Sequence, residues 1–360
     1  MSVLKPVFYD DFYCIADACS YTCCGGWKIA IDETTAKTYQ KMPEVWSGCE
    51  GKEQVKIRLS EDGMCPFLDE QGLCKLVIKY GPDILSETCA KFPRARYISV
   101  DMEEHYLSNA CPAVLQLLKD ILPPLSFVME GYPENNWELQ CRNQMIDLAQ
   151  IEDFCLWIRL YVIYQFARKI EKDENAAKIV SQYNSAEYLL AVRENMEDMS
   201  IDKEIQLIKI NDLFSCVNAK IRGKLGYIWY VQPMLQMKLK LDVLVGEWEL
   251  FNQCLQKENG FFENLFVNYI YNNILLWRDC YGITYKQGVE ILLIEYSMVR
   301  YTLFLWWANH EHTYTNEDLY GIICYYARIM ENSPSTALDF VKQLEDMGEL
   351  NGGNILFYIQ

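Results

Sequence analysis

The residues with the clearest chemical potential are cysteines near the N-terminus. The chain has 15 cysteines, and nine of them lie in residues 1–111. Four fall within 11 residues, and two glycines follow them directly. These residues are Cys14, Cys19, Cys23, Cys24, Gly25 and Gly26. Glycine lets the backbone approach a bound group closely and adopt positive φ. A loop of this composition predicts a metal or iron–sulfur centre, since thiols in a chain without an export signal stay reduced.

Four later thiols extend the set to eight predicted metal ligands. They are Cys65, Cys74, Cys89 and Cys111. Cys65 and Cys74 flank a predicted turn, which could bring both sulfurs to one site. Adjacent side chains usually diverge, so we expect one of Cys23 and Cys24 to ligate, while the other serves a different metal position or packs nearby. The remaining cysteines are predicted to be small buried residues.

The identity of the metal is left open by the residues alone. All-thiolate sets suit zinc or iron–sulfur clusters. The chain has three histidines, so mixed Cys/His zinc sites are disfavoured. Neither a pair of C-x2-C zinc knuckles nor the C-x2-C-x2-C-x3-C run of ferredoxins is present. The spacing therefore indicates a centre without identifying it.

Charge and hydropathy exclude several classes of partner. The 33 Lys and Arg residues against 50 Asp and Glu give a net charge of −17, which argues against nucleic acid and favours cationic partners. The longest apolar stretches, 156–167 and 291–308, are interrupted by charges and are too short to span a membrane. The first residues carry acids and aromatics where a secretory signal would be apolar. The sequence predicts a cytoplasmic protein.

The elements that must position the thiols are short and turn-rich. Residues 55–59 alternate with period two, 61–63 supply a turn, and 64–68 run back, which predicts a small meander that ends near Cys74. A second hairpin is predicted from 97–100 and 105–107, with Asp101 to Glu104 at its tip.

A boundary is predicted after this part, at Pro123-Pro124 and the polar stretch 130–136. Beyond it the apolar period changes to 3.6, so nearly all of the rest is predicted to be helical. The predicted helical segments are 137–172, 174–197, 201–221, 235–257, 261–279, 286–310, 316–332 and 334–347. The expected fold is mainly α, with a small cysteine-rich α+β domain at 1–125, built on short hairpins, followed by a large all-α domain at 135–360.

The cysteines and their neighbours resemble a known family over residues 5–115. The matching stretches are Lys5-Pro6-x2-Tyr9-Asp10-Asp11-Phe12-x-Cys14, Cys19-x3-Cys23-Cys24-x2-Trp27, Gly63-x-Cys65-Pro66-Phe67-Leu68-x3-Gly72-x-Cys74, Cys89-x3-Pro93-Arg94 and Cys111-Pro112. Together they resemble the FliB family of flagellin lysine-N-methylases, and also the YkgJ-type cysteine-cluster domains. The chain departs from the family pattern at Ala110 and Ala113, and it lacks a histidine expected near Glu331.

The resemblance implies that methyl groups pass from S-adenosylmethionine to lysine ε-amines of a protein substrate, flagellin. It also implies a [4Fe–4S] cluster, with zinc as the alternative. An amine must be neutral to attack a sulfonium methyl group, so a carboxylate or tyrosine in a partly desolvated pocket would assist. No Gly-x-Gly-x-Gly loop follows a strand, so a Rossmann-type site for S-adenosylmethionine has no sequence support.

The segment 262–269 looks similar to a family segment and supplies the candidate site residues. We expect Glu263 and Tyr269 to be catalytic. Asn264 and Asn268 are four apart, so they share a face of the predicted helix and are expected to bind cofactor together with Arg94. The alternatives are that this helix has an ordinary wet face and that Arg94 pairs with an acid.

A second class of function stays open at this point. The chain could be a non-catalytic iron–sulfur or zinc-binding interaction protein, whose helical domain binds a basic partner. Binding of S-adenosylmethionine distinguishes the two hypotheses.

Overall fold

A computed structural model describes residues 2–27, 29–61, 63–99, 102–132, 136–171, 175–196, 198–221 and 241–360. Within these ranges the strands are β1 (Ser2–Pro6), β2 (Cys49–Glu50), β3 (Lys56–Ile57), β4 (Arg94–Ile98), β5 (Met102–Leu107) and β6 (Phe127–Glu130). The helices before residue 125 are α1 (Glu33–Tyr39), α2 (Pro43–Trp46), α3 (Lys75–Tyr80), α4 (Glu87–Lys91) and α5 (Pro112–Asp120). The expected small α+β region at the N-terminus is confirmed.

The rest of the described chain is helical, so the predicted fold class is confirmed. Its helices are α6 (Trp137–Ala149), α7 (Leu156–Ile170), α8 (Ala176–Tyr183), α9 (Ala186–Met196), α10 (Lys203–Ile221), α11 (Leu241–Leu255), α12 (Asn259–Tyr281), α13 (Tyr285–Asn309), α14 (Asn316–Met330), α15 (Pro334–Asp346) and α16 (Gly352–Ile359). Residues 235–240 of one predicted segment lie outside the described residues.

Two predicted helices are each divided in the structure. The segment 137–172 forms α6 and α7, and at the break Arg159 donates hydrogen bonds to the carbonyl oxygens of Ala149 at 3.1 Å and Phe154 at 2.6 Å. These bonds satisfy carbonyls that a continuous helix would have paired internally. The segment 174–197 likewise forms α8 and α9, and α16 was not predicted.

A four-stranded sheet in the order β4-β5-β1-β6 joins the N-terminus to residues beyond 125. β4 and β5 are antiparallel, as the second predicted hairpin requires. The predicted tip is wrong, because Met102 and Glu104 are strand residues that pair with Ser2 and Leu4 of the parallel neighbour β1. β6, which pairs with β1, lies within the predicted boundary region between Pro123-Pro124 and 130–136, and the division into two domains stays a prediction.

The predicted meander over residues 55–76 is confirmed at its second turn, where Leu68 and Cys74 form an antiparallel bridge, and is wrong at its first. β3 pairs with β2, with Cys49 opposite Ile57, and the returning segment does not pair with it. Met64 bridges to Gly25 instead, and Leu68 bridges to Cys74. Two-residue strands offer little pairing energy of their own, so contacts with the cysteine loop determine where the returning segment lies.

The centre of the molecule is formed by α12 and α13, which are buried on nearly all sides. One apolar core runs from Leu4 and Phe8 through these helices to α16. Tyr271 of α12 donates a 2.7 Å hydrogen bond to the carbonyl oxygen of Leu4, which attaches the sheet to the helices. In the described residues, no helix has both the length and the apolar character needed to cross a bilayer.

Candidate metal centre and its helical support

The cysteine loop folds back on itself through hydrogen bonds at its C-terminal end. Trp27 Nε1 donates to the carbonyl oxygen of Cys23 at 2.7 Å, and the amide of Cys24 donates to Thr22 Oγ1 at 3.2 Å. A Cβ on Gly25 would lie 2.7 Å from the sulfur of Met64 and 3.0 Å from the carbonyl oxygen of Gly63, so any other residue here would force the Met64 side chain to move. The expectation that the glycines allow close packing of the loop is therefore met at Gly25.

Six of the eight predicted thiols line one cavity of about 350 Å³. These six are Cys14, Cys19, Cys23, Cys24, Cys74 and Cys111. The rest of the wall is largely apolar and includes Phe12, Leu73 and Phe92. The structure therefore brings together cysteines from three separate parts of the sequence around one small volume.

Cys65 and Cys89 lie beside this cavity and approach the same thiols. The amide of Cys65 donates a 2.8 Å hydrogen bond to the carbonyl oxygen of Cys24. Burial raises the pKa of the Cys65 thiol to about 12, and the nearby Cys24, Cys89 and Cys74 thiols add to the rise. Burial also raises the pKa of Cys89, again with Cys24 and Cys74 contributing. Cys24, Cys65, Cys74 and Cys89 therefore form one group of neighbours.

The other thiols form a second group around Cys111. Burial raises the pKa of Cys111 to about 11, and the nearby Cys19 and Cys14 thiols contribute to it. Cys23 and Cys24 connect the two groups, because their side chains form a hydrogen bond with each other. This bond lowers the pKa of Cys24 and raises that of Cys23. The two adjacent side chains do not diverge completely, yet each has different further neighbours.

The donor set consists of soft thiols, which suits zinc or an iron–sulfur cluster. Among the described residues, no three His, Cys, Asp or Glu side chains are arranged so that they could hold one metal ion. The sulfurs surround a volume and do not converge on a single point.

Arg328 on α14 connects the helices to the cysteine loop. Its Nη2 donates to the carbonyl oxygens of Tyr21 at 2.5 Å and Ala110 at 3.4 Å. One helical turn earlier, the thiol of buried Cys324 points to the carbonyl oxygen of Asn109. The Arg328 guanidinium also opposes the rise in the pKa of Cys19 that burial causes. Nothing in the sequence links Arg328 to Tyr21 and Ala110, which lie 307 and 218 positions away.

The candidate residues on α12 are buried, so the alternative of a wet helix face is wrong. Asn264 Nδ2 donates to the carbonyl oxygens of Leu118 and Ile121, at 2.9 and 2.8 Å, where α5 ends. Asn268 Nδ2 donates to the carbonyl oxygen of Leu107 at 3.1 Å and to Asn109 Oδ1 at 2.7 Å. Asn264 therefore binds backbone that follows Cys111, and Asn268 binds backbone that precedes it. Their assignment to a cofactor stays a prediction.

Glu263 and Tyr269 also have partners inside the protein. Glu263 forms a buried ion pair with Arg159. Tyr269 is 1% exposed, and its hydroxyl donates to the carbonyl oxygen of Gly288 at 3.1 Å. Neither side chain lines the thiol cavity. The catalytic role expected for these two residues stays a prediction.

Arg94 lies on β4 and helps hold the start of the cysteine loop. Its Nη2 donates to the carbonyl oxygen of Phe12 at 2.8 Å, and its guanidinium lies 4.7 Å from the centre of the Phe12 ring. The expected acid partner of Arg94 is thus replaced by a backbone carbonyl and an aromatic face. Arg94 also lines a separate open cavity of about 710 Å³, and its cofactor role stays a prediction.

In its described residues the protein is mainly helical, and its N-terminal part contributes a cavity lined by cysteines. Residues 142–356 match the family model of the FliB lysine N-methylase C-terminal domain. Because the match covers more than half of the chain, the chain belongs to the FliB lysine N-methylase family.

Curated relatives agree with this family. The chain is 36% identical over 126 residues to the flagellar biosynthetic protein FliU of Salmonella muenchen. It is 35% identical over 126 residues to the lysine-N-methylases of Salmonella typhimurium strain LT2 and Salmonella choleraesuis strain SC-B67. Each alignment covers 32% of this chain and spans 75% of FliU but 31% of either lysine-N-methylase. No solved structure matches the chain significantly.

Proposed function

We propose that the protein transfers methyl groups from S-adenosylmethionine to lysine ε-amines of a protein substrate, flagellin, and that its cysteine loop binds a [4Fe–4S] cluster. The observation that carries the proposal is the cavity lined by six thiols and braced by α14 of the matching domain. The names of the relatives supply the reaction and the flagellar context.

The proposed ligands come from the eight clustered cysteines. The group formed by Cys24, Cys65, Cys74 and Cys89 supplies four thiolates, which is the number that a [4Fe–4S] cluster takes. The second group, around Cys111, is the other candidate set. A bound cluster would add inorganic links between segments that also meet through backbone hydrogen bonds, such as the one from the Cys65 amide to the Cys24 carbonyl oxygen.

Zinc is the alternative metal. A structural zinc ion needs four ligands at about 2.3 Å from one point when all are sulfur. The described thiols enclose a cavity, and no three of them are arranged around a point. This geometry supports the cluster, because its four irons are each met by a different thiolate.

The proposed reaction forms a C–N bond to the methyl carbon while the C–S bond of the sulfonium breaks and a thioether leaves. The lysine must first lose a proton, and the enzyme must hold its nitrogen in line with the breaking bond. The protein's net charge of −17 suits a lysine-bearing partner, because opposite charges speed the encounter of the two surfaces.

The proposal is tested with the full chain purified without oxygen. We expect about four irons and four sulfides per chain, and transfer of label from methyl-labelled S-adenosylmethionine to recombinant flagellin. Flagellin whose lysines have been acetylated serves as the matched control and should take up no label. Stoichiometric zinc without sulfide would overturn the cluster. A lack of both S-adenosylmethionine binding and methylation would favour a non-catalytic interaction protein.

A further inference from the structure

A second cavity, of about 220 Å³, lies between the end of β5, the C-terminal part of α12 and the end of α14. Its lining consists of Trp27, Ala95, Tyr106, Ser108, Asn272, Asn273, Leu276, Trp277, Tyr281, Glu331, Asn332 and Pro334. Cavities that bind drug-sized ligands measure roughly 300–1,000 Å³, so this one suits a single side chain. It has no assigned function in the proposal above.

One residue of the lining, Glu331, has a buried carboxyl group that accepts hydrogen bonds from two side-chain amides. Glu331 is 7% exposed. Its Oε1 accepts from Asn109 Nδ2 at 3.1 Å, and its Oε2 accepts from Asn273 Nδ2 at 2.9 Å. The carboxyl group of Glu295 on α13 also shares a hydrogen bond with Glu331. Two acids and two amides therefore meet where α12, α13 and α14 come together.

The lining carries a negative charge that no cation of the lining balances. Glu331 is the one charged residue among those that line the cavity in the described part of the chain. An isolated buried carboxylate is costly unless a cation or several donors accompany it. Two amides already stabilise the carboxyl group of Glu331, and a cationic ligand would add the kind of partner that the lining lacks.

The lining also holds buried polar atoms that the described protein atoms leave unpaired. These are Tyr106 Oη, Asn272 Oδ1 and Asn332 Nδ2. Tyr106 is 4% exposed and Asn272 is 3% exposed, so bulk water reaches neither well. Asn272 Oδ1 and Tyr106 Oη can both accept a hydrogen bond, and an ammonium group has three to donate.

Besides Tyr106, three aromatic side chains line the cavity. Trp277 is buried, Trp27 is half-buried, and Tyr281 is more than half exposed at the opening. Rings of this kind pack against a methylene chain and attract an ammonium group through their π faces. Trp27 also donates to the carbonyl oxygen of Cys23, so this wall continues directly into the cysteine loop.

We infer that this cavity binds the side chain of the substrate lysine, with Glu331 accepting hydrogen bonds from the ε-ammonium and Trp27, Trp277 and Tyr281 enclosing the methylenes. The inference rests on the proposed function and gives it a substrate site. Glu331 then takes one ammonium proton, which leaves a neutral amine and a carboxylic acid. The nitrogen lone pair forms the new bond to the methyl group of the sulfonium donor, and the proton on Glu331 passes to water after release.

The cavity accounts for chemistry that the earlier candidates do not. Glu263 is already paired with Arg159, and Tyr269 donates to a backbone carbonyl. Within the part of the chain that the structure describes, Glu331 accepts from neutral amides and forms no ion pair with a cation, so its carboxyl group can still pair with a cationic ligand.

The test is calorimetric titration of the full anaerobic chain with a flagellin-derived peptide that contains one lysine. The same peptide with norleucine in place of lysine keeps most of the aliphatic side chain and lacks the amine. We expect binding of the lysine peptide to be stronger by about tenfold or more, because a charge-assisted hydrogen bond is lost with the amine. Equal affinities for the two peptides would overturn the inference.

Two variants test whether this cavity is where the lysine side chain binds. Glu331→Gln and Tyr281→Ala should each weaken binding of the lysine peptide and raise its KM in the methylation assay. Glu331→Gln should leave the weak binding of the norleucine peptide unchanged, whereas Tyr281→Ala should weaken it too, because Tyr281 contacts the methylenes that both peptides carry. Asp339→Asn removes one acid from the exposed face of α15 and is the matched control. Should Glu331→Gln fail to fold, Tyr281→Ala decides, because its side chain is largely exposed. Unchanged affinity and KM in Tyr281→Ala, with Glu331→Gln also unchanged where it folds, would contradict this site.

The methylation assay separates the two claims. A wild-type chain that methylates lysine while both variants bind and turn over normally refutes the cavity and leaves the proposed function intact. A wild-type chain that methylates no lysine substrate refutes the function itself, whatever the peptides show.

Discussion

The side-chain amide of Asn109 donates a 3.1 Å hydrogen bond to Glu331 across 222 residues of sequence. Asn109 lies two residues before Cys111, and Glu331 follows the last residue of α14. The same amide accepts a 2.7 Å hydrogen bond from Asn268 of α12 at its oxygen. One asparagine thus links the thiol-bearing part of the chain, the central helix and the carboxylate at the floor of the second cavity.

Loss of single thiols should remove metal and stability together. Cys19→Ser and Cys65→Ser each take one sulfur from a different neighbour group. We expect both to contain much less iron and sulfide than wild type and to melt at lower temperature, because metal binding and folding are coupled. Elemental analysis and thermal melts of anaerobic samples measure this.

Cys216→Ser on α10 is the control for these variants, since it removes a thiol far along the sequence from the loop. It should retain its iron. Unaltered iron content and melting in both loop variants would contradict the assignment of these thiols as ligands.

Replacement of Arg328 should loosen the cysteine loop without touching a thiol. Arg328→Ala removes hydrogen bonds to the carbonyl oxygens of Tyr21 and Ala110. Hydrogen bonds from a charged donor contribute roughly 1.5–3 kcal/mol each, so the free energy of unfolding should fall by about 2 kcal/mol or more. Iron should also leave faster in a chelator chase.

Arg193→Ala is the comparison, because Arg193 pairs with Asp153 at the surface, where such pairs contribute about 0–1 kcal/mol. Arg328→Lys keeps the charge but loses the forked donors, so it should recover part of the stability. Equal free energies of unfolding for Arg328→Ala and Arg193→Ala would show that the hydrogen bonds of Arg328 do not stabilise the protein.

Asn268→Ala should destabilise the protein by about 1–3 kcal/mol, because it leaves the buried carbonyl of Leu107 with one donor fewer and removes the donor to Asn109. Chemical denaturation measures the change. If Asn268 serves cofactor binding instead, the variant would keep its unfolding energy and lose affinity for S-adenosylmethionine.

The buried acids should make stability depend on pH. Burial raises the pKa of Glu331 to about 7, with the amides of Asn273 and Asn109 opposing the rise. It also raises the pKa of Glu295 well above its usual value, and the neighbouring Glu331 adds to that rise. The unfolded acids release their protons near pH 4.5, so the folded state holds more protons between about pH 4.5 and 7. Stability should therefore fall as pH rises through this window.

The slope should be on the order of 1 kcal/mol per pH unit and should be smaller in Glu331→Gln. Urea denaturation at several values between pH 5 and 8 measures it, with iron content checked at each pH. Glu290, whose pKa burial also raises to about 7, contributes equally in both proteins and cancels in the comparison. Identical slopes would contradict the proposed ionisation of Glu331.

The sequence revealed most of the fold and the composition of the candidate site. The spacing of apolar residues distinguished strand segments from helices, and the clustering of cysteines indicated that their thiols come together. It did not reveal the pairing of 64–68, because strands of two residues take their partners from tertiary contacts such as the one between Met64 and Gly25. Local patterns also could not show that Arg328 and Glu331 reach Tyr21 and Asn109, since such contacts exist only after the chain has folded.

The contact between Arg328 and Tyr21 also orders events during biosynthesis. The brace is translated 307 residues after the segment it supports. At a ribosomal rate of about 5–20 residues per second, the nascent sulfurs wait roughly 15–60 s for it. The loop of the proposed centre therefore gains this support only late in synthesis.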